Sequence, residues 1–302
     1  MAPARPRVVV SLLTSAQEFQ VLQAADAKAA GARLGIEVET VFADNNAIQQ
    51  IHQLFAFVHA PAERRPSAIV VEPVKSEGME RLARNAVKAG IGWILQQGGA
   101  AYLEKLRAEN PAVPVASLSV DDAEIGRIQA RQLQALLPRG GRVLMVQGPL
   151  DSPPAIARFQ GLQQGLGPSA ITLESVLHGD WTSDSAQRAV GSWLRLRSTD
   201  AVEVDLVASQ NDSMAAGARQ AIGELRRGWQ GIPFIGCDGL PEGGRRLVDT
   251  MQLAATIVKP TTAGRGVELV SQALAGRSIP LEVVLQAQSY PPLEQLTRRR
   301  PL

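Results

Sequence analysis

Two short polar motifs in the second half of the chain have residue types suited to binding a small molecule through hydrogen bonds. Gln210-Asn211-Asp212 follows an apolar run and precedes a segment of small residues, and Asp238-Gly239 follows another apolar run. Amides and carboxylates can bond to the hydroxyl groups of a polar ligand. Each motif also has a structural interpretation. Asp212 suits the N-cap of a helix, and we favour this role for it. Asp-Gly pairs such as Asp238-Gly239 commonly form turns. Asn211, one residue before that cap, is expected to have no such local role.

The sequence lacks the residue patterns that are typical of enzymes and metal sites. It has no GxSxG nucleophile motif, no GxxxxGK phosphate loop and no GxGxxG after its first apolar run. Its histidines (His52, His59 and His178) and Cys237 are too few and too scattered for a zinc site. The first two histidines are expected at a helix surface or at the edge of the core, His178 at a strand end, and Cys237 as a small buried residue. We therefore expect no catalytic residue, no metal and no cofactor.

Composition and charge indicate a globular protein of two domains. The chain has 302 residues, with 31 basic and 29 acidic side chains and a formal net charge of +2. A balance so near neutrality gives no electrostatic reason to expect binding to nucleic acid. Apolar residues make up 45% and charged residues 20% of the chain, which is typical of a folded protein. At this length, two domains of about 150 residues each are expected.

Short apolar runs alternate with segments of helical periodicity along the chain. The runs are continuous, as in strands that are covered on both faces of a parallel sheet. A run that starts at Arg7 has a counterpart that starts at Arg142, so the series begins twice and two similar lobes are expected. No stretch rich in Gly, Ser or Pro separates them. The runs are Val8–Leu13, Ile36–Phe42, Ala68–Glu72, Ile91–Leu95, Val113–Leu118, Arg142–Val146, Ile171–Leu177, Asp205–Ala208, Pro233–Gly236 and Ala254–Lys259.

The N-terminal segment does not resemble a secretory signal. Val8–Leu13 is shorter than the apolar core of a signal, which needs about 7–15 residues, and it suits a buried strand. No apolar stretch approaches the roughly 20 residues of a membrane span. As written, the chain is expected not to be exported, although a mature secreted chain given a new Met1 has the same appearance. Periplasmic and cytoplasmic locations therefore both stay open.

Taken together, the motifs resemble the ribose-type periplasmic binding proteins, also called type I solute-binding proteins. The ligand-binding cores of lactose-repressor-type regulators belong to the same superfamily. The resemblance covers roughly residues 7–288, and several independent matches in the right order make it specific. The matching pieces are Gln147-Gly148, Arg158 through Gly161-Leu162, Gln210 through Ala215, Gly236 through Gly239 with Pro241-Glu242-Gly243, and Leu253 through Ile257.

The resemblance implies an α/β fold of two Rossmann-like lobes with parallel sheets, joined by three crossover strands that form a hinge. In this family the ligand is trapped between the lobes by their closure. The expected crossovers lie near Ser119–Asp121, Val258–Pro260 and Val283–Gln286. The expected N-terminal lobe is residues 1–119 plus 260–283, and the expected C-terminal lobe is residues 120–259 plus 284–302.

The resemblance also implies which residues contact the ligand. Asn211 and Asp238 match the amide and the carboxylate that bond to ligand hydroxyls in the family. Trp181 matches an aromatic side chain that packs on the ligand ring, although such a residue can also be a surface loop anchor. Lys259 falls where the family often has a polar residue at the hinge. Glu72 falls where an amide is common.

Other candidate ligand residues depart from the family pattern. Phe19 alone stands in place of an aromatic pair after the first strand, and Gln96-Gln97 replaces the Asp-Arg pair of many sugar binders. Arg158 matches a helix arginine that is either a ligand contact or structural. The loss of the Asp-Arg pair argues against ribose or a standard hexose. A small polar ligand remains expected.

The resemblance implies a solute-binding protein that traps a sugar, polyol or derivative for ABC-type uptake or for signalling. Its partners would be that ligand and an ABC transporter permease or membrane receptor. One alternative is a cytoplasmic ligand sensor or regulator core that lacks its own DNA-binding domain. Another is an enzyme on a doubly wound fold, against which the missing catalytic motifs count. If Glu72 and Lys259 both face the ligand, they would suit a ligand with an amine or acid group.

Overall fold

Contacts between residues divide the chain into two compact units. The first unit contains the residues up to Val120 together with Thr261–Leu285, and the second contains Asp121–Pro260 together with the residues from Gln286 onward. The chain therefore passes from one unit to the other three times. The computed structural model describes residues 5–98, 100–197, 203–229 and 231–296.

The first unit is built on a six-stranded sheet in which every pairing is parallel. Numbered along the whole chain, its strands are β1 (Arg7–Leu12), β2 (Glu37–Phe42), β3 (Ala68–Val71), β4 (Gly92–Leu95), β5 (Val115–Val120) and β11 (Glu282–Leu285). They lie in the order β11-β5-β4-β3-β1-β2 across the sheet. The helices are α1 (Glu18–Leu34), α2 (Ala47–Val58), α3 (Met79–Lys88), α4 (Tyr102–Glu109) and α10 (Ala263–Leu274).

The second unit has a four-stranded parallel sheet and a separate antiparallel strand pair. The parallel sheet consists of β6 (Gly141–Gln147), β7 (Ile171–His178), β8 (Leu206–Ser209) and β9 (Phe234–Ile235), in the order β7-β6-β8-β9. The antiparallel pair consists of β10 (Thr256–Val258) and β12 (Gln288–Tyr290). The helices are α5 (Asp122–Leu136), α6 (Pro153–Leu166), α7 (Ser183–Leu196), α8 (Asp212–Leu225), α9 (Arg246–Asp249) and α11 (Leu293–Leu296).

The α/β class with parallel sheets that the sequence predicted is confirmed. Each apolar run predicted to be a strand overlaps an observed strand. The antiparallel strand β12 was not predicted, because its residues Gln288–Tyr290 form no apolar run. Among the described helices, none combines the length and the apolarity that crossing a membrane requires.

The continuous apolar runs arise because both faces of each strand are covered. In β1, Val8 and Val10 pack in a cluster with Ala27 of α1, whereas Val9 between them packs in another cluster with Leu54 of α2. Successive side chains of a strand point to opposite faces, so a strand buried on both faces needs apolar residues at every position. Full burial of one such side chain contributes roughly 1.5–3 kcal/mol.

In the second unit, α5 and α6 approach so closely that their contact requires glycine. A Cβ on Gly126 would lie 1.9 Å from the backbone oxygen of Arg158, and a Cβ on Gly161 would lie 1.9 Å from that of Ala123. Any larger residue at these two positions would push the helices apart. The close approach brings Arg158 of α6 beside Asp122, the first residue of α5.

Candidate functional site

Asp238 follows β9 in the second unit and has a left-handed backbone, with a φ of 97°. Residues other than glycine rarely adopt such angles, which cost about 1–3 kcal/mol. The N–H of Asp238 donates to the oxygen of Ile257 at 2.9 Å, and its own oxygen accepts from the N–H of Lys259 at 3.1 Å. Gly239 also has a positive φ, 58°, as expected of an Asp-Gly turn. The turn is thus fixed along β10, and Asp238 is half-buried there.

Asp212 is not the N-cap of α8 that the sequence predicted. Its carboxylate accepts hydrogen bonds from the N–H of Gly239 at 2.7 Å and from the hydroxyl of Thr256 at 2.6 Å. The residue is only 4% exposed. A Cβ on Gly236 would lie 2.2 Å from a carboxylate oxygen of Asp212, and a Cβ on Gly244 would lie 1.9 Å from one. These glycines therefore make room for a carboxylate that links the segment after β9 to β10.

Asn211 is the N-cap of α8, so the expectation that it has no local role was wrong. Its backbone is extended, and its side-chain oxygen accepts from the N–H of Met214 at 2.8 Å. Its side-chain nitrogen donates to the backbone oxygen of Trp181 at 2.9 Å. The error arose because α8 begins one residue earlier than predicted, and both Asn and Asp are good caps. An amide oxygen has a second lone pair, so contact between Asn211 and a ligand stays a prediction.

The indole of Trp181 rests on residues of its own unit. A Cβ on Gly148 would lie 2.4 Å from the indole, so glycine is needed beneath the ring. The guanidinium carbon of Arg158 lies 5.5 Å from the ring centroid, within the range of a cation–π interaction. Trp181 itself has a left-handed φ of 73° and is half-buried. Packing of this ring on a ligand stays a prediction.

Arg158 is buried and bonded within the second unit. It is 3% exposed, its Nε donates to Asp122 at 2.8 Å and its Nη1 donates to the backbone oxygen of Gln210 at 2.7 Å. Burial lowers the pKa of Arg158, but the nearby carboxylates of Asp122 and Asp238 favour its charged form, and the pKa is raised overall. Burial also raises the pKa of the Cys237 thiol to about 12, so the two carboxylates are the charges that matter near pH 7. These contacts agree with the structural interpretation of Arg158.

Glu72 of the first unit follows β3 and lies among glutamines. Its Oε2 accepts hydrogen bonds from the Nε2 of Gln20 at 3.0 Å and from the Nε2 of Gln23 at 3.1 Å, both on α1. Gln50 of α2 donates to the backbone oxygen of Glu72 at 2.8 Å and to the hydroxyl of Ser11 at 3.0 Å. Glu72 is half-buried, so the carboxylate is held in a fixed place at the carboxyl end of its strand.

Gln96 joins the same cluster from the end of β4. It is 4% exposed, and its Oε1 accepts from the hydroxyl of Thr262 at 2.7 Å. Gln23 accepts from the backbone N–H groups of Thr262 and Ala263 at 2.7 and 2.9 Å, so it connects Gln96 with Glu72. The Nε2 of Gln96 is buried with no hydrogen-bond partner among the described residues.

The other predicted ligand residues occupy loop and helix positions near strand ends. Gln97 is half-buried in the loop after β4, and Phe19 is buried in the first turn of α1. Lys259 is half-buried after β10, where its N–H bonds to Asp238. Contacts within the second unit join Asn211 to Trp181, Trp181 to Arg158, and Asp238 to Lys259. In the first unit, Gln23 and Thr262 connect Glu72 with Gln96.

Gln20, Gln23, Gln50 and Thr262 belong to the polar cluster of the first unit and were missed by the sequence analysis. A signal for two of them is present in the sequence. Gln20 and Gln23 lie on the buried face of α1, with Ala24 and Ala27 at helical spacing, so they are polar residues on an otherwise apolar stripe. Such residues are buried only when their amides are bonded.

The described residues hold no group of three or more His, Cys, Asp or Glu side chains that could bind a metal ion. His52 and His59 are exposed, and Cys237 is buried, as expected. His178 is the last residue of β7, as expected, and is exposed. The described strand ends are instead rich in amides and carboxylates held by backbone and side-chain hydrogen bonds. Such groups can bind hydroxyl groups of a polar molecule in a fixed arrangement.

Comparisons with known proteins agree with this chemistry. The xylitol-binding protein of Mycolicibacterium smegmatis is 27% identical over 213 residues, which cover 69% of this chain and 55% of that protein. The D-xylose-binding periplasmic protein of Haemophilus influenzae is 26% identical over 232 residues, which cover 76% of this chain and 65% of that protein. The chain thus spans less than two-thirds of the length of these two relatives.

A solved structure and a family model match almost the whole chain. The ABC transporter solute binding protein from Bacillus halodurans with bound myo-inositol has the same fold, with a TM-score of 0.79, 19% identity and coverage of 99% of each chain. The model of the periplasmic binding protein domain matches residues 8–278. The chain therefore belongs to the periplasmic binding protein domain family.

Proposed function

We propose that the chain is a solute-binding protein that binds a small sugar, polyol or derivative through amides and carboxylates at strand ends, among them Asp238 of the second unit. The observation that carries this proposal is the backbone of Asp238, which is held in a left-handed conformation beside β10 at a strand end of a periplasmic binding protein domain. Strained residues of this kind persist where surrounding bonds hold them, and they are concentrated at ligand sites.

The ligand class follows from the side chains available and from the relatives. Arg158 is engaged with Asp122, and Gln96-Gln97 offers amides where many sugar binders have Asp-Arg. Amides and carboxylates favour an uncharged polyhydroxylated molecule, because each hydroxyl can donate and accept. The relatives are named for xylitol and D-xylose, and the solved structure holds myo-inositol. We therefore favour polyols and D-xylose over ribose or a standard hexose.

The two compact units correspond, in this proposal, to the two lobes of the family, and the candidate ligand residues are described within each unit by itself. Asp238, Asn211, Trp181 and Lys259 act in the second unit, and Glu72, Gln96, Gln97 and Phe19 act in the first. Arg158 then supports Trp181 as well as Asp122. The partner would be an ABC transporter permease or a membrane receptor, and the location the periplasm, as the name of the D-xylose relative states for that protein.

A thermal-shift screen followed by calorimetry tests the proposal. Xylitol, D-xylose, myo-inositol and glycerol would be added to the wild type, to Asp238→Ala and to Asp184→Ala, which removes an exposed carboxylate of the same unit. A ligand at about 100 times its Kd adds about 2.7 kcal/mol to the free energy of unfolding. We expect this shift in the wild type and in Asp184→Ala, and its loss in Asp238→Ala. Absence of any shift in the folded wild type, or equal binding by Asp238→Ala, would contradict the proposal.

A further inference from the structure

We propose that Asp212 is a positioning residue that holds Asp238 in its left-handed conformation and so aims the Asp238 carboxylate. The inference rests on the proposed function, in which Asp238 contacts the ligand. Asp212 itself is 4% exposed, and the proposal gives it no contact with ligand.

Asp212 bonds to the residues on both sides of Asp238. Its carboxylate accepts from the N–H of Gly239 at 2.7 Å, and its own N–H donates to the backbone oxygen of Cys237 at 2.7 Å. The backbone on either side of Asp238 is therefore tied to the first residue of α8. A helix end fixed in the core of the unit is a rigid support for such a turn.

The same carboxylate also bonds to the strand against which Asp238 lies. The hydroxyl of Thr256 in β10 donates to Asp212 at 2.6 Å. Asp238 is held to that strand by its own two backbone bonds, to Ile257 and Lys259. Asp212 thus fixes the spacing between the turn and β10 in addition to those backbone bonds.

The space around the carboxylate is shaped for it. Gly236 and Gly244 lie so close to the oxygens of Asp212 that neither position has room for a Cβ. Hydrogen bonds to a buried charged acceptor are about twice as strong as neutral ones. Capping of α8 does not explain Asp212, because Asn211 performs it. What the bonds of Asp212 do explain is how Asp238 keeps a φ of 97°, since a strained residue persists only where its surroundings determine its conformation.

The first test needs no ligand. Asp212→Asn keeps the shape of the side chain but replaces one acceptor oxygen by a donor. We expect the amide of Gly239 to exchange its hydrogen about tenfold faster in this variant, because a neutral amide oxygen is a weaker acceptor than a carboxylate. Asp184→Asn, an exposed carboxylate in the first turn of α7, should leave that exchange rate unchanged.

A double-mutant cycle on the melting temperature then tests the coupling itself. Asp238→Gly relieves the backbone strain at position 238, so the Tm of this variant should be about 2 °C higher than that of the wild type. In the Asp212→Asn background the turn has already relaxed, and Asp238→Gly should leave the Tm unchanged or lower it. Equal effects in the two backgrounds would overturn the proposal. If Asp212→Asn does not fold, the same cycle is measured with Thr256→Val, which removes one hydrogen bond to the Asp212 carboxylate. Equal effects of Asp238→Gly with and without Thr256→Val would then overturn the proposal.

Calorimetry with xylitol, D-xylose and myo-inositol separates this inference from the proposed function. If the wild type binds none of them, the proposed ligand class fails, while the exchange and Tm measurements still decide on Asp212. If the wild type binds one, Asp212→Asn should weaken that binding about tenfold or more. The double variant with Asp238→Gly should lose no more than Asp238→Gly alone. Additive losses would make Asp212 an independent structural residue and overturn the proposal.

Discussion

The side-chain nitrogen of Asn211 donates a hydrogen bond to the backbone oxygen of Trp181 at 2.9 Å. This bond joins the first turn of α8 to the residue that carries the indole, whose φ is 73°. The side-chain oxygen of the same asparagine caps α8 through the N–H of Met214. One residue thus sets both the start of a helix and the position of an aromatic ring next to Gly148.

The two bonds of Asn211 can be separated by substitution. Asn211→Ala removes both the cap and the bond to Trp181, and should lower the free energy of unfolding by about 1–2 kcal/mol. Asn211→Ser retains a capping oxygen but is too short to reach Trp181, so it should cost about half as much. Urea unfolding measures both variants, and the near-UV signal of tryptophan should change in both. Equal losses in stability would contradict the assignment of two separate roles.

Gly148 tests whether the indole position matters for binding. A Cβ in Gly148→Ala would lie 2.4 Å from the indole, so the ring must move. If Trp181 packs on a ligand, Gly148→Ala should raise the Kd for that ligand about tenfold. An aromatic contact is worth about 0.5–1.5 kcal/mol beyond the area that it buries. Gly223→Ala on α8 is the matched control, because no heavy atom lies within 4 Å of its new Cβ. A change in tryptophan fluorescence without a change in Kd would show that Trp181 is a loop anchor.

Much of the fold follows from local sequence patterns, because a strand covered on both faces must be apolar at every position. Val8, Val9 and Val10 show this directly, since alternate members enter different clusters. The short antiparallel strand β12 lacks such a pattern and was therefore missed. Its pairing depends on Thr256–Val258, far away in sequence.

The candidate site was less predictable than the fold, because its bonds join residues that are distant in sequence. Glu72 was singled out by position, but its partners Gln20 and Gln23 lie on α1 and reach it only in the folded unit. The sequence analysis placed the cap of α8 one residue too late, since Asn211 and Asp212 are equally good caps. Only the residue at which α8 begins in the folded unit decides between them.

Gln23 should be more important for stability than Gln20. Its side-chain oxygen accepts from two buried N–H groups, those of Thr262 and Ala263, whereas that of Gln20 accepts from the N–H of Leu13. A buried donor left without an acceptor costs about 1–3 kcal/mol. Gln23→Ala should therefore lower the free energy of unfolding by about 3 kcal/mol, and Gln20→Ala by clearly less. Denaturant unfolding of the two variants compares them, and a larger loss for Gln20→Ala would contradict this account.

Burial of Cys237 should make the protein less stable at alkaline pH. Its pKa rises from 9.0 to about 12 in the folded protein, because burial disfavours the thiolate. The raised pKa means that the thiol's contribution to stability is fully present below about pH 9 and is lost as the pH rises towards 12. The unfolding free energies of the wild type and Cys237→Ala should therefore diverge by about 1.4 kcal/mol per pH unit above pH 9. Because the two proteins differ only at position 237, the difference between their pH profiles isolates the effect of the thiol. Parallel pH profiles would show that the thiol titrates in the folded protein as it does in the unfolded chain.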